Sequence, residues 1–215
     1  MISQSDQAVM VLQELIETGE LKPGTMVSER GLMERLGLGR TPVREAIQQL
    51  ALAHMLRIHP SRGIEVPAMS VEDQLSGLEV RRATEALAVA LACERASTGE
   101  NAAIAALAAE LDGDFALPAY VDTVRRTHRL IIDAAHNPYL DAVMTPLQAL
   151  SRRFWVMHLR EPACEVARGK ALHRALLAGV AARDIEAAQA ASRALNDYLV
   201  GFAVDVVASR ARGRA

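Results

Sequence analysis

This 215-residue sequence predicts a mainly α chain in two parts, a small helix-and-hairpin module followed by an all-helical bundle. Apolar residues recur at helical spacing through most of it, and strand character is confined to short runs near 55–59 and 64–66. Hydrophobic residues make up 51%, charged residues 23% and aromatics only 3%, which points to helices packed through alanine and leucine. The length suits one large domain or two modest ones.

In residues 6–18, Val9, Leu12, Leu15 and Ile16 form a helical stripe that stops at Gly19, and Leu21-Lys22-Pro23-Gly24 reads as a tight turn. Ser28 stands at an N-cap position with Glu29 in the first turn behind it. Leu32, Met33 and Leu36 give the second helix its apolar face, and Gly37 supplies a left-handed end. Thr41 is placed to cap a third helix, with Pro42 at its first position. Val43, Ile47 and Leu50 face inward, leaving Arg44 and Gln48 outward. Met55–His59 and Ile64–Val66 then read as strands around the turn Pro60-Ser61-Arg62-Gly63. Two short helices joined by a tight turn and followed by a hairpin make a winged helix-turn-helix.

The charge on this segment implies a polyanionic partner. Residues 28–63 hold six arginines against three glutamates, a local +3, while the whole chain is −2 and the remainder therefore −5. Arg40 and Arg44 flank Thr41-Pro42 just over one helical turn apart, so both project from one face at the leading end of the third helix. Forked donors in that position suit guanine edges and phosphates in a DNA major groove.

The run PGTMVSERGLMERLGLGRTPVREAIQQL resembles the N-terminal domain of the GntR family of bacterial transcription regulators, over roughly residues 8–68. The resemblance implies that Arg30, Arg40 and Arg44 contact DNA, assisted by Thr41 and by Arg62 and Gly63 of the wing. The chain departs from the pattern at Gly39, where a serine or threonine is usual, and at His54, where a helix-ending glycine is common. A non-glycine exit at His54 implies some backbone strain.

Val66-Pro67-Ala68-Met69 reads as a linker, dividing domain 1–68 from domain 69–215, and Ser70 with Asp73 signals a new helix. Helices are placed near 71–97, 100–112, 118–135, 138–158, 163–179 and 184–208, giving an antiparallel all-α bundle of six to seven helices. No glycine-rich phosphate loop, nucleophile elbow or HExxH helix is present, so an enzyme is not expected. Cys93 and Cys164 fit no disulfide framework or metal clip and read as small core residues, consistent with a reducing cytoplasm. His54, His59, His136 and His158 read as surface or loop residues and Trp155 as packing at a helix face or a dimer contact. The terminal SRARGRA reads as an unstructured basic tail. The N-terminal stretch lacks the pattern of a signal peptide, and no apolar run approaches the ~20 residues of a membrane span.

This second part resembles the C-terminal domain of the FadR subgroup within the same family, through Glu79, Arg81 and Glu85, then Thr98, His128 with Asn137-Pro138, and His173 with Asp184. The family's bundle often holds a divalent metal on one Asp and three His, beside a small carboxylate. The resemblance assigns His128 and His173 to that site. The Asp expected four residues before His128 falls on Val124, and the last His falls on Leu195, with Asn196 beside it. Asp122 lies about 120° around the helix and does not replace the missing ligand. Zinc or nickel on His128 and His173 would be held by an incomplete set. The metal-free arrangement has His128, His173 and Asn196 binding an organic acid, with Arg81 as its carboxylate fork. No cofactor is otherwise implied.

The sequence as a whole therefore implies a cytoplasmic, homodimeric DNA-binding regulator, most simply a repressor released by a small carboxylate. Its partners would be double-stranded operator DNA, an organic-acid effector and a second copy, with no membrane. Two alternatives are a regulator whose decayed sensor domain serves only dimerisation, and a metal-dependent helical enzyme.

Overall fold

The computed structural model describes residues 3–212, and the chain divides into two compact units. The first runs through Ser70 and includes a separate piece, Ala149–Met157. The second comprises Val71–Gln148 and the chain from His158 onward. The piece at 149–157 lies beyond the stretch 1–68 that sequence alone assigns to the first domain.

In the first unit, α1 (Gln4–Glu17) opens with a capping box in which Ser3 accepts from the Asp6 amide and Asp6 from the Ser3 amide. Helices α2 (Glu29–Leu36) and α3 (Arg40–Leu52) follow, with Ser28 capping α2 through the Gly31 amide and left-handed Gly37 closing it at φ 64°. Helix α3 starts earlier than the sequence predicts. Gly39, extended at φ −69°, is its N-cap without a side-chain bond, and Arg40 is the first helical residue. Thr41 and Pro42 thus sit inside the first turn, where the N–H that proline lacks has no intrahelical acceptor in any case.

Strands β2 (Arg57–His59) and β3 (Gly63–Glu65) form the hairpin, and a two-residue strand that the sequence does not reveal, β1 (Met26–Val27), pairs with β3. All pairing is antiparallel in the order β1-β3-β2, with Val27 and Ile58 both opposite Ile64. Met55 and Leu56, expected in the hairpin's first strand, instead lie before β2 in the core. That core joins Leu12 and Ile16 of α1, Leu32 of α2, Val43, Ile47 and Leu50 of α3, Ile64 of β3 and Ala149. His54 exits α3 at φ 57°, the left-handed conformation glycine would take more cheaply, at a cost of roughly 1–2 kcal/mol.

The second unit is helical: α4 (Val71–Arg95), α5 (Thr98–Glu110), α6 (Leu117–Ala134), α7 (Pro138–His158), α8 (Pro162–Ala181) and α9 (Ile185–Arg212). Helix α4 packs on α9 and α6, and α8 on α9 and α5. Prolines open α6, α7 and α8 in their first turns, and Ser97 with Glu100 forms a capping box for α5. Hydrogen bonds from Ser97, then from His136, bring the Glu100 carboxyl down to about 2. Cys93 is buried, but Cys164, expected in the core, is exposed in the first turn of α8. Helix α9 continues through Arg212, into the tail that sequence leaves unstructured; residues 213–215 lie outside the described residues. Among the described residues no helix is long and apolar enough to cross a membrane.

Helix α7 contributes to both units. Its first half, to Gln148, belongs to the second, and residues 149–157 belong to the first. In the first unit Arg152 forks onto Glu17 of α1, with Nε 3.2 Å from Oε2 and one terminal nitrogen 3.1 Å from Oε1. These residues are 8% and 1% exposed. Arg153, also buried, donates to the Pro67 carbonyl at 2.6 Å, and burial lowers its pKa from the usual guanidinium value. Removing one member of a buried ion pair leaves the other charge uncompensated. Glu17→Ala is therefore expected to cost about 3–5 kcal/mol in urea unfolding. Replacing Glu17 and Arg152 together by leucine and methionine should recover most of that loss.

Candidate nucleic-acid interface and helical-domain site

The turn between α2 and α3 determines how the arginines are displayed. Arg40 is the first residue of α3 and Arg44 stands one turn on, with side chains 71% and 55% exposed. Cations at a helix N-terminus oppose the macrodipole, and a carboxylate relieves that repulsion. Glu29, first residue of α2, supplies it: Arg40 Nε donates to its Oε1 at 2.8 Å, and Arg44 Nε lies 3.6 Å from its Oε2. Arg30, next in the chain, turns instead to Glu34 at 2.8 Å and is 88% exposed. Thr41 and Gln48 are exposed.

The hairpin tip carries exposed Arg62 between Ser61 and Gly63, which adopt φ 61° and 110°. A Cβ on Gly63 would lie 2.9 Å from the Val27 carbonyl oxygen, so β1 leaves room there only for glycine. Below the tip His59 is half-buried rather than a free surface residue. Its Nε2 donates to Glu65 at 2.6 Å, and with Arg57 at 3.4 Å it lowers the Glu65 carboxyl below its ordinary range. Arg40 and Arg44 are thus brought together at Glu29, while Arg62 and Gly63 are presented separately on the hairpin.

In the second unit the predicted residues form two clusters. Arg81, 2% exposed, donates through Nε and a terminal nitrogen to Glu85 Oε1 at 2.9 and 2.7 Å. Gln148 of α7 donates to the same oxygen at 3.1 Å, and Asn196 of α9 donates to Glu85 Oε2 at 2.7 Å. The carboxylate fork assigned to Arg81 is therefore engaged by the chain's own Glu85. Spacing of i, i+4 is the signal that sequence offered for this pair. Asn196 Oδ1 is buried without a hydrogen-bond partner.

His128 and His173, each 6% exposed, form the other cluster, their rings 5.9 Å apart. His173 Nδ1 lies 2.8 Å from the Gly169 carbonyl and 3.0 Å from the Tyr120 hydroxyl. A carbonyl only accepts, so Nδ1 carries a proton and donates it to Gly169. Tyr120, which sequence reasoning missed, shares the i, i+4, i+8 face of α6 with Val124 and His128. Burial raises its hydroxyl pKa well above the ordinary value and keeps it neutral.

Two family models match the chain: bacterial regulatory proteins of the gntR family over residues 4–66, and the FCD domain over residues 77–197. The chain belongs to the GntR family, with a FadR-like FCD domain. It is similar to the HTH-type transcriptional regulator McbR of Escherichia coli K12, 35% identical over 39% of this chain and 38% of that one. It also resembles the uncharacterized HTH-type regulator YdhC of Bacillus subtilis, 25% identical over 60% of this chain and 59% of that one. These alignments span less than two thirds of either relative. A solved structure of E. coli McbR/YncC has a TM-score of 0.77 at 23% identity, covering 95% of this chain and 99% of that chain. A putative GntR regulator from Rhodococcus sp. RHA1 has a TM-score of 0.70 at 20% identity over 96% and 99%. Both support the shared fold. The gntR family model describes bacterial regulatory proteins, and both relatives are HTH-type transcriptional regulators.

The metal that the family implies is poorly served by these donors. Val124 and Leu195, at the positions of the absent Asp and His, are buried hydrocarbon side chains. Among the described residues no group of three His, Cys, Asp or Glu gathers to hold an ion. Two neutral imidazoles fall short of the three or four protein donors that zinc and nickel sites ordinarily use, and the residues do not fit a tightly held ion.

Gly169 is required by the packing of this cluster, because a Cβ there would lie 2.1 Å from the Tyr120 hydroxyl oxygen. Gly169→Ala is expected to push Tyr120 off His173 and to destabilise the protein by about 1–3 kcal/mol, measured by chemical unfolding.

Proposed function

We propose that this regulator binds a two-fold operator as a homodimer and acts as a repressor. Arg40 and Arg44 would read base edges from the leading turn of α3. Arg30 and Thr41 would add contacts beside them, and Arg62 and Gly63 would approach the backbone or minor groove from the hairpin. The observation that carries this reading is the exposed arginine pair, one turn apart at the start of α3, in a unit that matches the gntR family model. Two-fold symmetry of the protein matched to a pseudo-palindromic site is the usual arrangement for such modules.

The FCD domain supports a small-molecule effector, and we assign it a small organic acid bound without metal. His128 and His173, with the Tyr120 hydroxyl, are the polar groups offered to it, and Asn196 Oδ1 is a buried acceptor whose desolvation is otherwise uncompensated. Arg81 takes part only if an effector carboxylate displaces Glu85. Gln148, a partner of Glu85, is one helical turn before Arg152 on α7.

Closure of Arg81 on Glu85 also favours a second reading, in which the sensor has decayed and the bundle only dimerises. Thermal-shift measurements with organic acids separate the two, since a decayed sensor is stabilised by none of them. For the DNA half, a gel shift on the region upstream of the protein's own gene should give a discrete complex. A bidentate arginine–guanine pair contributes about 1–3 kcal/mol, so the Arg40→Ala, Arg44→Ala double variant should lose at least about 30-fold in affinity. Undiminished binding by that variant would refute the assignment.

A further inference from the structure

We infer that Glu29 is a specificity-determining residue of the DNA interface: its carboxylate holds Arg40 and Arg44 back from indiscriminate phosphate contacts and presents their terminal nitrogens to bases. The inference rests on the assignment of those two arginines to DNA. It adds a residue of opposite charge that no reading of the arginines alone supplies.

The geometry is specific. Glu29 Oε1 accepts from Arg40 Nε at 2.8 Å, and Oε2 faces Arg44 Nε at 3.6 Å, so one carboxylate lies between two guanidinium groups a helical turn apart. Both contacts use the Nε edge. Arg40 makes its hydrogen bond through Nε, not through the terminal nitrogens that form the fork meeting guanine O6 and N7, and Arg44 is close enough for charge attraction only. Glu29 is itself well supported. It begins α2 directly after the Ser28 cap, where the helix dipole favours an anion, and its side chain is 31% exposed, against 71% and 55% for the arginines. Ion pairs this exposed contribute little to folding.

Near DNA a carboxylate acts in two opposed ways. It repels every phosphate alike, which weakens sequence-independent binding. By bonding the Arg40 Nε edge and drawing the Arg44 guanidinium toward the same carboxylate it also orients the two forks, which favours the one base arrangement that matches them. Discrimination gained by penalising the wrong partner is a general route to specificity. Arg30 has the same company in Glu34, but there one carboxylate serves one arginine within a single helix. Glu29 joins α2 to the tip of α3.

The test compares the full-length protein with Glu29→Gln on an operator duplex and on a duplex of unrelated sequence, across a salt series. Glu29→Gln should bind the unrelated duplex about fivefold more tightly near 0.1 M salt, with a log K against log salt slope steeper by close to one. Its operator affinity should rise less or fall, so the ratio between the two duplexes drops at least about threefold. Glu29→Asp should retain the shallower slope, and thermal melts of all variants confirm folding. An unchanged ratio overturns the inference, whether both affinities stay the same or rise together. The Arg40→Ala, Arg44→Ala variant measured alongside keeps the two questions apart. If it loses operator binding while the Glu29→Gln ratio is unchanged, the arginine assignment stands and the role of Glu29 falls. If it binds operator normally, the arginine assignment itself fails.

Discussion

The helical unit depends on one buried carboxylate. Glu85 is 6% exposed and would be intolerable as an isolated anion, yet it accepts from two Arg81 nitrogens, from Gln148 and from Asn196. Those donors come from α4, α7 and α9, so satisfying a single charge fixes three helices against one another. Such a network is costly to disturb by halves, because any donor withdrawn leaves part of the carboxylate desolvated and unpaired. Helix α7 is constrained a second time within the first unit, where Arg152 meets buried Glu17. One helix thus carries a member of each of two buried charge clusters.

The DNA-binding unit uses charge differently. On the helix-turn-helix and hairpin, Arg30 and Arg57 are exposed and are paired with Glu34 and Glu65, carboxylates that also remain partly in water. Exposed pairs of this kind exchange partners at little cost, which a surface that must give up one polyanion and take another requires. Beneath them the apolar faces of α1, α2 and α3 and the inward side of β3 provide a rigid base. The position of Gly63 against the Val27 carbonyl ties the wing to β1. Rigid support below and exchangeable charge above suit sequence-dependent binding with rapid release.

Much of this architecture was legible in the sequence, for physical reasons. Ser28, Gly37 and the prolines that open α6, α7 and α8 are strong local signals, and the structure places helix ends at or beside each of them. Local signals misled where two residues competed for one role. Thr41 looked like the cap of α3, yet Gly39 takes the cap, because an extended glycine two residues earlier lets the helix begin at Arg40. The two-residue strand β1 is too short to show alternation. Cys164 has the chemistry of a core residue and an exposed address, since its place in the first turn of α8 is decided by packing that composition does not encode. The candidate sites divide along the same line. Arg40 and Arg44 are found by spacing on one helix. The meeting of Tyr120 with His173 joins residues 53 positions apart, and whether Arg81 is available or engaged by Glu85 is settled only by the fold around it.

The central claim is a sensor without metal coupled to a DNA-reading face. It is tested most directly by measuring the operator Kd of chelator-treated protein across a panel of small organic acids, then repeating the series with added Zn²⁺ or Ni²⁺. At least one acid should change the operator Kd by roughly 5- to 150-fold, the usual range of coupling between sites, and the change should be the same with and without metal. A response that appears only when metal is restored, or no response to any acid under either condition, would contradict the account.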